Sequence, residues 1–274
     1  MTVNIQVLSD LHLEYSQPPG TPETPGEAYA YDIPVCAGYL ALLGDTGCTC
    51  DDRLFNWLDI QLTKFRIVFY LSGNHEPHGS SLIDSHSRLA TYEANHNSSI
   101  HGSQETEPYH GRFVFLNRTR YDINPTLSIL GCTLWGAIDP THPDIHALND
   151  FKRIHNFTPE TFRAEHEADV AWLNSVVATM AQEEPERRVI VFTHHAPTIK
   201  GTSDPKNQGK STSTAFATEL MAEPVCTAGT VKVWAFGHTH WCCDFVRRGI
   251  RVFSNQKGRG DGVEGFDRCK VLSL

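Results

Sequence analysis

Five short segments, far apart in the chain, carry residue types able to hold a metal ion. They are Asp10-Leu11-His12, Gly44-Asp45, Gly73-Asn74-His75, His194-His195 and Gly237-His238-Thr239-His240. Any one alone has a bland explanation: an Asp at a strand end usually caps a turn, and a lone His is usually a hydrogen-bonded core or surface group. Gathered in one place, Asp, Asn and His make a donor set suited to Mn, Fe or Zn. With His75 set aside, the segments offer two carboxylates, one amide oxygen and four imidazoles. Seven donors exceed what a single ion with an open position needs, and they suit two divalent ions sharing a carboxylate. Two such ions against Asp10, Asp45 and a bridging hydroxide leave a formal surplus of about +1, which favours an anionic substrate such as a phosphate ester.

For these segments to meet, the elements before them must end at a common edge. Residues 3–8 alternate and run into Ser9-Asp10, Tyr39–Leu43 stops at Gly44-Asp45, and residues 66–71 stop at Ser72-Gly73-Asn74-His75. Arg188–Thr193 ends in His194-His195, and Val231–Phe236 ends in Gly237-His238. Strand followed by polar turn, with helices between, predicts an α/β sheet whose working edge lies at the strand C-termini. If Asp10 to His12 and His238 to His240 are extended, residues i and i+2 each present two ligands to one side. Residues 51–65 predict a helix capped by Asp51 or Asp52, with Leu54, Phe55, Leu58, Leu62 and Phe65 inward. Thr158 caps and Pro159 starts a second helix, with Phe162, Val170, Leu173, Val177 and Met180 on its apolar face.

Weaker signals place helices over 80–94 and 214–221 and strands over 113–116 and 127–135. Cys243–Arg247, Ile250–Ser254 and residues 269–272 read as an antiparallel finish. The Pro- and Gly-rich stretch 17–27 reads as a loop. No repeat or boundary divides the chain, so residues 1–274 read as one domain with inserts near 77–110, 137–157 and 196–214. The first of these reads as a lid or surface insert.

The chain has 274 residues, 23 Lys and Arg against 32 Asp and Glu, and a net charge of −9. A hydrophobic share of 40% with 20% charged residues is ordinary for a globular protein and excludes fibrous and disordered classes. No apolar run approaches the roughly 18 residues of a membrane span, and Met1 leads straight into the first strand without a signal segment. The expectation is a soluble cytoplasmic protein. The acidic balance argues against nucleic acid as a main partner, because a phosphate-backbone footprint needs clustered Lys and Arg. Eight cysteines without C-x-x-C spacing read as reduced thiols, and the sequons at Asn97, Asn117 and Asn156 read as chance. Fifteen histidines are more than core packing asks for. Those outside the five segments mostly fall where exposure is expected.

The order D-x-H, G-D, G-N-H-E, a lone His and G-H-x-H, running from Asp10 to His240, resembles the calcineurin-like metallophosphoesterase superfamily. The resemblance implies an α/β fold, a four-layer β-sandwich of two mixed sheets flanked by helices. It implies one metal on Asp10, His12, Asp45 and His240 and another on Asp45, Asn74, His194 and His238, with Asp45 bridging. His194 is taken as the ligand before His195 because the strand runs straight into it. The catalytic role falls to His75, which would stabilise the transition state or protonate the leaving oxygen, and the nucleophile would be a bridging hydroxide. The expected activity is metal-dependent hydrolysis of a small phosphomonoester or phosphodiester.

His195 is weighed as a substrate contact against packing behind a ligand, Glu76 as a substrate contact, an orienter of His75 or a cap, and Glu14 as a support for the Asp10–His12 face against a solvated loop acid. One departure stands out: TGCTCDDR follows Gly44-Asp45 where the phosphoprotein phosphatase branch has Y-V-D-R-G, so its substrate-clamping arginine has no matched position. Arg53 is nearest but wrongly spaced. The rival readings are a protein-binding scaffold on the same fold, which predicts eroded ligands, and a nuclease of the same superfamily, which the charge of −9 disfavours.

Overall fold

Successive strand residues point to opposite faces, and the parallel strands of this chain are apolar on both, so each sheet needs a covering on either side. The structure, a computed structural model, describes residues 2–15, 29–102, 110–207, 209–260 and 262–274. The 17–27 loop, residues 103–109 of the first insert and the side chain of His101 lie outside the described residues. β1 (Asn4–Leu8), β2 (Tyr39–Leu43), β3 (Ile67–Leu71) and β4 (Arg112–Phe115) form the parallel part of one sheet. The second sheet runs β5 (Thr119–Asn124), β6 (Leu127–Cys132), β7 (Arg188–Thr193), β8 (Val231–Phe236), β10 (Ile250–Ser254), β9 (Cys243–Arg247), with antiparallel strands at its two edges.

Ile5, Val7, Ala41, Leu43, Phe69 and Leu71 of the first sheet meet Ile129, Ile190, Phe192, Val233, Ala235 and Phe253 of the second. The alternate residues Leu40, Leu42, Val68 and Tyr70 face outward and are covered by α1 (Asp52–Leu62) through Leu54, Trp57, Leu58 and Leu62. On the far side, Leu130, Val189, Val191 and Trp234 are covered by α4 (Pro159–Glu183) through Leu173, Val177 and Met180. Helix, sheet, sheet, helix is the four-layer arrangement expected. The predicted caps form: the Asp51 side chain accepts from Arg53 N, and Thr158 accepts from Thr161 N ahead of Pro159.

Four expectations need correction. Residues 80–94 extend into a longer helix, α2 (Leu82–Gly102), which packs in the outer layer through Leu89. Leu89 is buried against β4, His96 Nε2 lies 2.9 Å from Gly111 O, and Asn97 brackets the backbone of Phe113. Its polar face hid it, because those side chains bond to an edge strand instead of facing water. No helix forms over 214–221: Ser213–Ala215 is a single 3-10 turn, and α5 (Pro224–Thr227) begins only where Pro224 supplies the first-turn φ.

The closing strands do not form one antiparallel unit. β10 runs parallel to β8, and β11 (Val271–Ser273) crosses to pair with β1. That crossing corrects the thiol reading too, since Cys269 beside β11 is bridged to Cys36, with Cα atoms 5.5 Å apart and a separation of 233 residues. No local spacing could reveal such a pair. Strand β5 was not anticipated, although Tyr121 and Ile123 alternate with Arg120 and Asp122 and pack against the core between the sheets. Among the described residues, no helix is long and apolar enough to cross a membrane.

Candidate metal centre

All five parallel strands named for their polar ends deliver them to one edge of the sandwich. The backbone there is not extended, as the i, i+2 argument required. Asp10, His12, Asp45, His238 and His240 all adopt positive φ, between 48° and 70°. Left-handed backbone is costly for residues with a Cβ, and it persists only where the surroundings over-determine it. Each kink turns the chain under the cluster, so neighbouring ligands converge by reversal and not by strand alternation. Gly237 is required by closeness: a Cβ there would sit 2.0 Å from Ser9 Oγ and 2.8 Å from Asp10 Oδ2. Gly44, at φ +85°, would push a Cβ to 2.4 Å from His194 Nδ1.

The candidate ligand atoms gather into the triads Asp10–His12–His240 and Asp45–His194–His238, joined by a third group, His12–Asp45–His75, each with its donor atoms within 4.8 Å of one another. In the first, His12 Nε2 and His240 Nε2 face each other at 3.0 Å, and Asp10 Oδ1 lies 3.5 Å from His240 Nε2. Asp45 stands between the triads. Its Oδ1 is 3.2 Å from His194 Nε2, while its Oδ2 is 3.8 Å from both His12 Nε2 and His75 Nε2. Asn74 joins the second triad, with Oδ1 3.1 Å from His194 Nε2. The seven predicted ligands therefore meet, and His75 adjoins them.

Buried bonds hold these groups from behind. His194 Nδ1 donates to Leu43 O at 2.9 Å, which leaves Nε2 as the free donor atom. Ser9 Oγ donates to Asp10 Oδ2 at 2.5 Å, and His238 N donates to the same carboxylate at 3.0 Å. Burial works to raise the Asp45 carboxyl, yet His194, His75 and His12 around it hold it well below the usual carboxylate range. Burial, with His195 and His194 as neighbours, keeps the His238 imidazole well below its ordinary value and so neutral. His238 Nδ1 is buried without a hydrogen-bond partner. Charged carboxylates, a neutral imidazole with an orphaned nitrogen and an amide oxygen turned inward form a donor set that fits divalent metal ions.

Glu76 does not face substrate. It is fully buried and accepts from Gly73 N (2.7 Å), Thr46 N (2.9 Å), Asp45 N (3.0 Å) and Tyr70 Oη (2.8 Å), tying the second and third strand-end loops together. His195 is also enclosed. Its ring lies 4.1 Å from that of His238 and 5.5 Å from that of Trp135, so it backs a ligand and does not line the cleft. Glu14, far from being a solvated loop acid, contacts His12 Nδ1 at 3.3 Å and His75 Nδ1 at 2.8 Å. Burial opposes protonation of His75, but Asp45 and Glu14 together raise it to about 9. Arg53 pairs with Asp51 and takes no part.

Above the ligands opens a cleft of about 1000 Å³. Segments 137–157 and 196–214 contribute to its wall, through Leu148, Asn149 and Asp150 and through Asp204, Lys206 and Asn207. A third wall, with Arg259 and Glu264, comes from the glycine-rich loop before β11 and was not anticipated. Asp150 was missed as well. It opens α3 (Asp150–Arg153) and accepts from Asn74 Nδ2 at 2.8 Å, with His78 Nε2 at 3.2 Å, so His78 is buried and engaged where exposure was expected. The bond to Asp150 fixes the amide so that Asn74 Oδ1 points at the triad. Its only trace in the sequence was the Asp- and His-rich composition of the insert.

Comparison with known proteins agrees with this geometry. The chain is 24% identical to the uncharacterized protein L509 of Acanthamoeba polyphaga mimivirus, over 98% of this chain and 96% of that one. Its fold is similar to that of the phosphopantetheinyl hydrolase of Mycobacterium tuberculosis, with a TM-score of 0.62 at 14% identity, covering 93% of this chain and 89% of the other. The calcineurin-like phosphoesterase family matches residues 3–242, a span that takes in every strand-end segment just described. With two mixed sheets, helices outside them and the family's motif residues converged at one edge, the chain belongs to the calcineurin-like phosphoesterases.

Proposed function

We propose that this protein is a metal-dependent hydrolase of small phosphoric esters, working through a dinuclear centre with Asp45 as the bridging ligand. The observation that carries the proposal is the placement of Asp45, whose two carboxylate oxygens look toward different triads. Asp10, His12, Asp45 and His240 would hold one ion, and Asp45, Asn74, His194 and His238 the other. Ions in such a site supply Lewis acidity toward phosphoryl oxygens and an activated water for attack near neutral pH.

The protein's own groups divide the remaining work. Glu14 engages His75 Nδ1, so Nε2 is the atom left turned toward Asp45 and the cleft, where it can give a proton to a departing alkoxide. Arg259 stands in the cleft wall with its guanidinium 5.2 Å from the ring centre of Tyr15, supplying from the C-terminal loop the anion-recognising cation that the segment after Gly44-Asp45 lacks. Lys206, the other cation lining the cleft among the described residues, is already paired with Asp204 at 2.6 Å.

The test is metal analysis of the purified protein, followed by assays of p-nitrophenyl phosphate and bis-p-nitrophenyl phosphate with Mn²⁺, Fe²⁺ or Zn²⁺ added. Close to two ions per chain and metal-dependent turnover lost in His75→Ala are expected. Fewer than one ion per chain with no turnover would return the fold to the scaffold reading.

A further inference from the structure

Beside the metal cleft lies a smaller cavity of about 180 Å³, with Ile199, Ser203, Thr212, Phe216 and Ala217 in its wall. Asn207, Phe216 and Thr239 line both spaces, so the two adjoin there. Phe216 stands between the metal floor and the cavity. Its ring stacks on the His238 imidazole at 4.7 Å and 24°, yet 37% of its surface remains exposed. Ile199 is exposed to the same extent. Large apolar side chains are otherwise mostly buried in this fold, and two of the exceptions meet in one cavity next to the candidate ligands.

The wall is held in place. Ala196 N donates to Phe216 O at 3.2 Å, Thr218 N donates to Ala196 O at 3.0 Å, and Thr198 Oγ1 donates to Glu219 Oε2 at 2.7 Å. Asn207 and Lys210 also line the cavity, with Lys210 Nζ donating to Asn207 Oδ1 at 2.6 Å, and a largely preformed pocket with an apolar wall and a few polar groups is the usual construction of a small-molecule subsite. Size narrows the occupant, because an apolar cavity of roughly 150 Å³ takes up one benzene ring.

We propose that this cavity is the subsite for the organic part of the phosphoester, and that it takes a single six-membered ring of benzyl or aryl type. The inference rests on the phosphoesterase proposal and sharpens it from small phosphoesters in general to ring-bearing ones. The ring enters past Phe216 while the phosphoryl group lies over the triads.

The experiment compares benzyl phosphate with ethyl phosphate, two alkyl esters whose leaving oxygens are alike, on the metal-reconstituted enzyme. kcat/KM for the benzyl ester is expected to exceed that for the ethyl ester by at least about tenfold, the scale on which small apolar groups are discriminated in a pocket. Thr212→Phe, which fills the cavity, and Ile199→Ala, which strips one wall, should each bring the ratio to within about threefold. Calorimetry with benzylphosphonate and ethylphosphonate gives a readout without turnover and should show the same preference and the same loss. If Thr212→Phe fails to fold, Ile199→Ala, at a half-exposed position, carries the test. Equal kcat/KM for the two esters, or a ratio that survives both substitutions, overturns the subsite while leaving the phosphoesterase proposal standing. No hydrolysis of either ester and no metal-dependent phosphonate binding would strike the enzyme proposal itself, and the subsite with it.

Discussion

The floor of the cleft and its walls are built on opposite principles. On the floor, Asp10, Asp45 and His194 are at most 2% exposed, and each is bonded from behind by a second buried group. In the walls, Lys206 and Arg259 are exposed, the first on a single 3-10 turn, Pro205–Asn207, and the second on an irregular loop. A floor made of strained, mutually bonded strand ends tolerates no change, whereas walls of this kind can vary without disturbing it. Reaction type belongs to the floor and choice of substrate to the walls.

The largest test of that division is Asp45→Asn. Losing the carboxylate between the triads should lower kcat by about 10³-fold or more and remove bound metal, both measurable on one preparation by steady-state assay and elemental analysis. Next comes Glu76→Ala, which touches no ligand atom but orphans three backbone N–H groups and a tyrosine hydroxyl. A loss of about 3 kcal/mol or more in urea unfolding is expected. A loss below about 1 kcal/mol would mean that the floor is not held by this carboxylate. Asp150→Asn probes the seam, since the residue sits in a wall but grips a floor ligand; metal affinity should fall about 10- to 100-fold by chelator competition.

His86 supplies a contrast from outside the cleft. Burial, the dominant influence, holds its imidazole down to about 4 from an ordinary 6.5. The stability carried by the neutral ring is therefore complete above about 6.5 and is lost as pH falls from there toward 4. Between pH 8 and pH 5 the loss is about 2 kcal/mol, and His86→Leu should remove it from the pH dependence of unfolding. The smallest effect is expected for Arg259→Ala in the wall. KM for a phosphomonoester should rise about tenfold while kcat changes less than threefold, and an equal fall in kcat would move Arg259 from the wall to the floor.

The floor was legible because its information is local. Each ligand follows an apolar strand, and the run into Asp10, Asp45 or His194 can be read within ten residues. The conformation of those ends was not legible: the left-handed φ of Asp10, His12, Asp45, His238 and His240 comes from the partners that enclose them and not from their own residue types. Glu76 shows the same limit, since G-N-H-E places it beside His75 while only the fold turns it inward onto the backbone of the neighbouring loop. The α2 helix was half visible because its polar residues are spent on an edge strand, a use that periodicity does not register.

By itself the sequence determined the strand-and-turn order and which residue types end the strands, since strand periodicity and side-chain chemistry are properties of short segments. Tertiary structure decided what those segments meet. It set Asp45 between two triads, brought Asp150 to Asn74 across 76 residues, carried Arg259 into the cleft and opened a ring-sized cavity beside Phe216. Those contacts depend on the paths of irregular loops over a packed sandwich, and no spacing within such a loop encodes where it will land.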